Sequence, residues 1–131
     1  MFASINAFAE AVEIDGIYYN LITKAKQAEV TKNPNEYRGT VNIPETVTYN
    51  DVTYSVTSIG DYAFDGCDDL TDVYCYAENV PSTEYNVFNN SDIRKATLHV
   101  PAASIEQYKA TAPWSDFGTI VAIDDTETQA S

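Results

Sequence analysis

The chain has 131 residues, 44% of them hydrophobic and 21% charged, and carries a net charge of −13 from 7 Lys+Arg against 20 Asp+Glu. That length suits one domain with a real core, and that apolar content argues for a folded chain over a disordered one. So acidic a surface repels phosphate backbones and anionic headgroups, which disfavours nucleic-acid binding, and no run reaches the roughly 18 apolar residues of a membrane span.

The chain opens MFASINAFAE, with Ala7-Phe8-Ala9 before Glu10. Small residues at the first and third of those positions suit signal peptidase, so residues 1–9 read as the remnant of a signal peptide, although a basic n-region and a full apolar h-region are missing. No cysteine follows, so a lipoprotein anchor is not supported there. In VEIDGIYYNLIT, Asp15-Gly16 is a hairpin turn between two strand-like runs, and AEVTK then leads into the turn Asn33-Pro34-Asn35. In TVTYNDVTYSV, Asn50-Asp51 sits between alternating Thr/Val/Tyr runs as a second hairpin. Residues 12–57 are therefore expected to be antiparallel strands and hairpins that cap the N-terminal end, with the first rung at 40–43 inside the cap.

Self-similarity organises the rest. TVNIP at 40–44, DVYCY at 72–76, TLHVP at 97–101 and IVAI at 120–123 share an apolar-x-apolar core. Aligning the first apolar position gives Val41, Val73, Leu98 and Val121, at spacings of 32, 25 and 23. The linkers repeat too: VTSIGDYAFDG from Val56 aligns with VPSTEYNVFNN from Val80 at an offset of 24, matching Ala63 to Val87 and Phe64 to Phe88. A unit of that kind cannot bury its apolar side alone, whereas stacked neighbours make a continuous core. The strands at 41–43, 73–75 and 98–100 are expected to be parallel neighbours, with two side chains inward and one outward.

Those residues carry a resemblance. VTSIGDYAFDGCDDLTDVYCY resembles the unit of the BspA-like leucine-rich repeat family of bacterial surface proteins, matched by Ile59, Gly60, Ala63, Phe64, Gly66, Cys67, Leu70 and Val73. It extends over residues 40–123, with Thr83, Glu84 and Ser91 departing from the pattern in the second unit. It implies a mainly β fold: a short leucine-rich-repeat solenoid with parallel rungs, an N-terminal β-hairpin cap and a short C-terminal helix, one domain over residues 10–123. It also implies a secreted or cell-surface protein that adheres to host matrix proteins, host cells or neighbouring bacteria. A structural or self-associating module of a larger surface assembly is the alternative.

Cys67 falls where the family unit has a small buried apolar group, and Cys75 is an inward strand position. Both read as buried free thiols, with a disulfide as the alternative that export would allow. Their surroundings lack the further Cys or His that zinc needs at close spacing. Asp61, Asp65, Asp68, Asp69 and Asp72 do not alternate as in an EF-hand loop, and read as water-facing turn residues. No metal or other cofactor is expected. His99 is the only histidine. It has no dyad partner in the sequence pattern and no Gly-x-Ser-x-Gly elbow, so no catalytic residue is assigned and the protein reads as non-enzymatic.

The outward positions are of more interest. Asn42, Tyr74 and His99 are expected side by side on adjacent rungs, flanked by Asp72 and Thr97, with Tyr76 at the other end. Aromatic, amide, carboxylate and hydroxyl groups together suit a protein or glycan ligand. Tyr18, Tyr19, Tyr49 and Tyr54 of the N-terminal hairpins form the second choice. Toward the C-terminus, Ser104 with Gln107 resembles a capping box opening a short helix in IEQYKA, Pro113 stops it, and Trp114 and Phe117 are placed to cover the last rung. DDTETQAS, residues 124–131, reads as a disordered acidic tail.

Overall fold

The computed structural model describes residues 11–84 and 86–123. The signal-peptide and acidic-tail expectations, on residues 1–9 and 124–131, lie outside them. Ten strands form two sheets among the described residues. They are β1 (Val12–Ile14), β2 (Ile17–Ile22), β3 (Gln27–Thr31), β4 (Gly39–Ile43), β5 (Thr46–Tyr49), β6 (Val52–Ile59), β7 (Leu70–Cys75), β8 (Ser82–Thr83), β9 (Thr97–Pro101) and β10 (Thr119–Ile123). A short helix α1 (Ile105–Lys109) follows β9.

The first sheet runs β10-β9-β7-β4 and is parallel throughout. Val41 pairs with Val73 and Val73 with Leu98, as the repeat predicts. The fourth strand corrects the alignment: Ile120, not Val121, pairs with Leu98, and Val121 pairs with His99. A one-residue shift exchanges the faces of a strand, so Val121 joins the row of His99.

The second sheet is mixed, in the order β1-β2-β3-β6-β5, with β8 also on β6. The two hairpins form where expected. Asp15 and Gly16 have φ of 51° and 90°, and Asn50 and Asp51 have 50° and 66°, the left-handed geometry of tight two-residue hairpin loops. The expectation of antiparallel strands around the first rung needs one correction, because β3 pairs with β6 in parallel. Antiparallel pairing is confined to β1–β2, β2–β3 and β5–β6. β6 is long enough to do both: its first half faces β5 antiparallel, and its last residues, Ser58 and Ile59, run parallel to Ser82 and Thr83. That last pairing is the offset seen in the linkers. The approach is close at Gly60, whose N–H donates to the Val30 carbonyl at 2.7 Å. A Cβ at Gly60 would lie 3.2 Å from that oxygen.

The inner faces meet in one core. Val41, Ile43, Val73, Cys75, Leu98 and Val100 from the parallel sheet are buried with Ala28, Val30, Val56 and Ile59 from the other. Each such Val, Leu or Ile contributes about 1.5–3 kcal/mol by burial. Between the sheets the turn segments stack aromatic rings. Phe64 lies 5.4 Å from Phe88 at 19° and 4.9 Å from Tyr37. Phe88 in turn meets Trp114 and Phe117 edge-on at 5.9 and 5.2 Å. Successive turns are also tied by backbone: Phe64 N–H donates to Val87 O and Gly66 N–H to Asn89 O, both at 2.9 Å. Ser91, standing where the first unit has cysteine, accepts from Cys67 N–H at 2.8 Å and donates to the Phe64 carbonyl.

At the C-terminal end α1 forms where expected with Ser104 at its N-cap, but the Ser104 side chain makes no capping hydrogen bond. Its hydroxyl donates instead to the Glu78 carbonyl at 2.6 Å. Trp114 and Phe117 cover the end of the core, 0% and 5% exposed. Gly118 admits no side chain, since a Cβ there would stand 1.8 Å from the Arg94 carbonyl oxygen.

Cys67 and Cys75 are free and buried. Burial raises the Cys67 thiol and pushes the Cys75 thiol up to about 11, so little reactive thiolate is present. A thiol reagent is expected to leave both unlabelled in the folded protein and to label both after unfolding without reductant. Labelling that requires reduction would instead show a disulfide.

Candidate ligand-binding face

Parallel, in-register strands place equivalent residues in rows across the outer face of the four-stranded sheet. One row is Asn42, Tyr74, His99 and Val121. The row before it is Thr40, Asp72, Thr97 and Thr119. Tyr76 follows the end of β7, where its N–H donates to Ile43 O at 3.0 Å. The structure thus brings together all six residues expected from the sequence. Asn42 is exposed, and Asp72, Tyr74, Tyr76, Thr97 and His99 are half-buried.

Strand spacing of about 4.8 Å lets flat side chains on neighbouring strands lie face to face. His99 does so on Tyr74, with ring centroids 3.9 Å apart and planes within 8°. Just past the end of β7, the Tyr76 ring stacks with Tyr74, with centroids 6.2 Å apart and planes within 16°. His99 also gains the partner that its sequence neighbourhood lacks. Its Nε2 lies 2.9 Å from Asp72 Oδ1, across the diagonal between rows and 27 residues back along the chain. Its side chain is 12% exposed, against 36% for Asp72. Its Nδ1 is buried and finds no hydrogen-bond partner among the described residues. One imidazole nitrogen is therefore engaged and the other enclosed. This geometry fixes the two rings against each other and leaves Nδ1 facing the protein interior.

The acidic residues of the opening repeat unit separate into different roles. Asp61, Asp68 and Asp69 are exposed, and Asp69 meets Arg38 at 3.2 Å. Asp65 is half-buried and accepts from the side-chain amides of Asn89 and Asn90, so it ties two turns together rather than simply facing water. The second-choice tyrosines divide as well: Tyr19 and Tyr54 belong to the core at 1% and 5% exposure, and only Tyr49, at 37%, is open.

Two hollows went unread in the sequence. One, of about 250 Å³, is framed by the Asp15-Gly16 hairpin tip, the Asn33–Arg38 turn and Thr40–Asn42 of β4. The other, of about 880 Å³, is an open cleft beside the C-terminal cap with Asp68, Asp92 and Asp116 on its walls. The sequence marks the contributing segments as turns; that they converge depends on pairings between distant strands.

Among the described residues no helix is long and apolar enough to cross a membrane. No curated protein matches the chain. The fold is similar to that of a leucine rich cell surface protein from Faecalibacterium prausnitzii A2-165, known from its crystal structure, with a TM-score of 0.56 and 22% identity. The match covers 72% of this chain and 24% of that one, so the chain spans about a quarter of that protein. The family described as BspA type leucine rich repeat region matches in six copies over residues 37–111, from the approach to β4 to just beyond α1. With that stretch spanning both stacked linkers and three of the four parallel strands, the chain belongs to the BspA-type leucine-rich repeat family.

Proposed function

We propose that the chain is a non-enzymatic adhesion module, secreted or displayed at the bacterial cell surface. Its ligand face is Asn42, Tyr74 and His99, flanked by Asp72, Tyr76 and Thr97, and its partner is a protein or glycan of a host or neighbouring cell. In this reading the rungs are successive turns of a short solenoid. Supporting the location, the structural neighbour is a cell surface protein. The observation that carries the site is the Tyr74–His99 stack at 3.9 Å, held in place by Asp72. Side chains fixed before binding lose little entropy when a ligand arrives, and aromatic residues dominate binding hot spots.

The test starts with arrays of matrix proteins and glycans, followed by titration calorimetry on any ligand found. Tyr74→Ala is expected to weaken binding by about 2 kcal/mol or more. Loss of the aromatic pair should cost the fold only about 0.5–1.5 kcal/mol. Normal binding by folded Tyr74→Ala, Tyr76→Ala and His99→Ala variants places the site elsewhere. A structural or self-associating role has one observation in its favour: β4 and β10 are the outer strands of the parallel sheet, and outer strands can pair with another chain. Light scattering that shows growth with concentration supports that role.

A further inference from the structure

We infer that β10 pairs antiparallel with β10 of a second copy of the chain, about a two-fold axis at Val121, so that two parallel sheets join into one. The inference assigns the self-association named above to one edge and is independent of the ligand-face reading. It starts from a core that stops short. Ile43, Cys75 and Val100 hold equivalent inward positions on successive rungs and are 0% exposed. Ala122, paired with Val100 and next in that row, is exposed. In the neighbouring row Leu98 is 0% exposed, but Ile120 beside it is only half-buried. The sequence after β10, DDTETQAS, offers Ala130 as its one apolar side chain and opens on two aspartates, so it is a poor cover for them.

The backbone of this edge is open as well. In a parallel sheet, alternate residues turn their N–H and C=O toward opposite neighbours. The bond from Tyr76 N–H to Ile43 O sets the phase. Followed through the register from β4 to β10, it turns Thr119, Val121 and Ile123 toward β9 and leaves Ile120 and Ala122 facing outward. Among the described residues, no backbone hydrogen bond beyond the sheet ladder involves residues 119–123. Outer strands are commonly blunted by a charge or a proline, and β10, TIVAI, has neither.

A second TIVAI strand fits this edge. With Val121 opposite Val121 of the partner, Ile120 lies opposite the partner's Ala122, and the two exchange both N–H···O bonds. A large inward side chain then faces a small one, and the same pair recurs across the axis, as a two-fold contact requires. The other outer strand, β4, is the poorer mate for β10. Its inward Val41 and Ile43 are already covered, at 4% and 0% exposure, and the Asp15-Gly16 hairpin tip stands beside it. Val121 shares a row with His99, so the pairing runs the outer row of one protomer into that of its partner.

Sedimentation velocity of the whole chain tests this, with salt at about 500 mM to screen the −13 on each protomer. The mass is expected to rise with concentration from 14.5 kDa to twice that value and to stop there. Two cysteine variants read the register. Val121→Cys sets two thiols in a non-hydrogen-bonded pair with Cα atoms about 4.5 Å apart, so mild oxidation should give a covalent dimer. Thr119→Cys stands opposite Ile123, leaving its two thiols roughly 13 Å out of step and unlinked. Cys67 and Cys75 are buried and do not compete. Ala122→Pro removes an outward N–H but no bond to β9, and is expected to weaken the dimer at least tenfold with an unchanged circular dichroism spectrum. A mass that stays at 14.5 kDa up to about 1 mM overturns the inference. So does growth past the dimer, which indicates head-to-tail pairing of β10 with β4, or equal cross-linking of the two cysteine variants. A dimer unaffected in folded Ala122→Pro overturns it too; if that variant does not fold, the cysteine pair decides. None of these outcomes alters the test of Tyr74, which is read on ligand arrays.

Discussion

Phe64→Ala is expected to lower the unfolding free energy by about 3–5 kcal/mol, read from denaturant titrations of the two proteins. The ring is 0% exposed and touches aromatic neighbours on both sides, Tyr37 at 4.9 Å and Phe88 at 5.4 Å. Removing it leaves a cavity between two turns that are also held by backbone hydrogen bonds. The surroundings cannot close in without breaking Phe64 N–H to Val87 O and Gly66 N–H to Asn89 O. Since domains of this size are stable by only about 5–15 kcal/mol, the loss is a large fraction of the total. A loss below about 1 kcal/mol would mean that the ring is not buried in the stack and that the 24-residue offset between turns is wrong.

Trp114→Ala is expected to cost a similar amount, about 3–5 kcal/mol. The indole is 0% exposed, meets Tyr108 at 5.4 Å and 86°, and meets Phe88 at 5.9 Å and 75°. Its N–H donates to the Pro81 carbonyl at 3.4 Å, so truncation also leaves a buried acceptor unpaired. Trp114→Phe restores part of the apolar area without the donor and should fall between wild type and alanine. An exposed cap residue would show neither loss. Neither variant carries the donor, so the difference between them reads the packing contribution alone.

The parallel rungs were legible because Val41, Val73 and Leu98 each open an apolar-x-apolar strand, and because Phe64 and Phe88 anchor linkers of equal offset. The phase of IVAI is not legible in the sequence for a simple reason: a run without a polar residue carries no alternation, so nothing in it tells inward from outward. β3 resembles an antiparallel cap strand in sequence because its alternation looks the same in either pairing direction. Only the partner, β6, distinguishes them. Ser104 looked like a helix cap by local spacing, yet the Glu78 carbonyl, 26 residues away, takes its hydroxyl. The six face residues were placed by register alone. What register could not supply was the diagonal link from His99 to Asp72, or the meeting of Asp15 and Glu36 beside Asn42. Each depends on side-chain direction or on loops brought together by the other sheet.

The ties between turns have a consequence for how such a chain changes length. Ser58 to Ser82, Cys67 N–H to Ser91 and Ile59 to Thr83 all join positions 24 residues apart. A duplication of one whole unit between these turns recreates every tie on both sides of the new segment. An insertion of a few residues at the same place breaks them all. Growth by gene duplication is thereby favoured in whole-turn increments, each adding one more position to the row that holds Tyr74 and His99. The outer face of the parallel sheet would lengthen in step with the core.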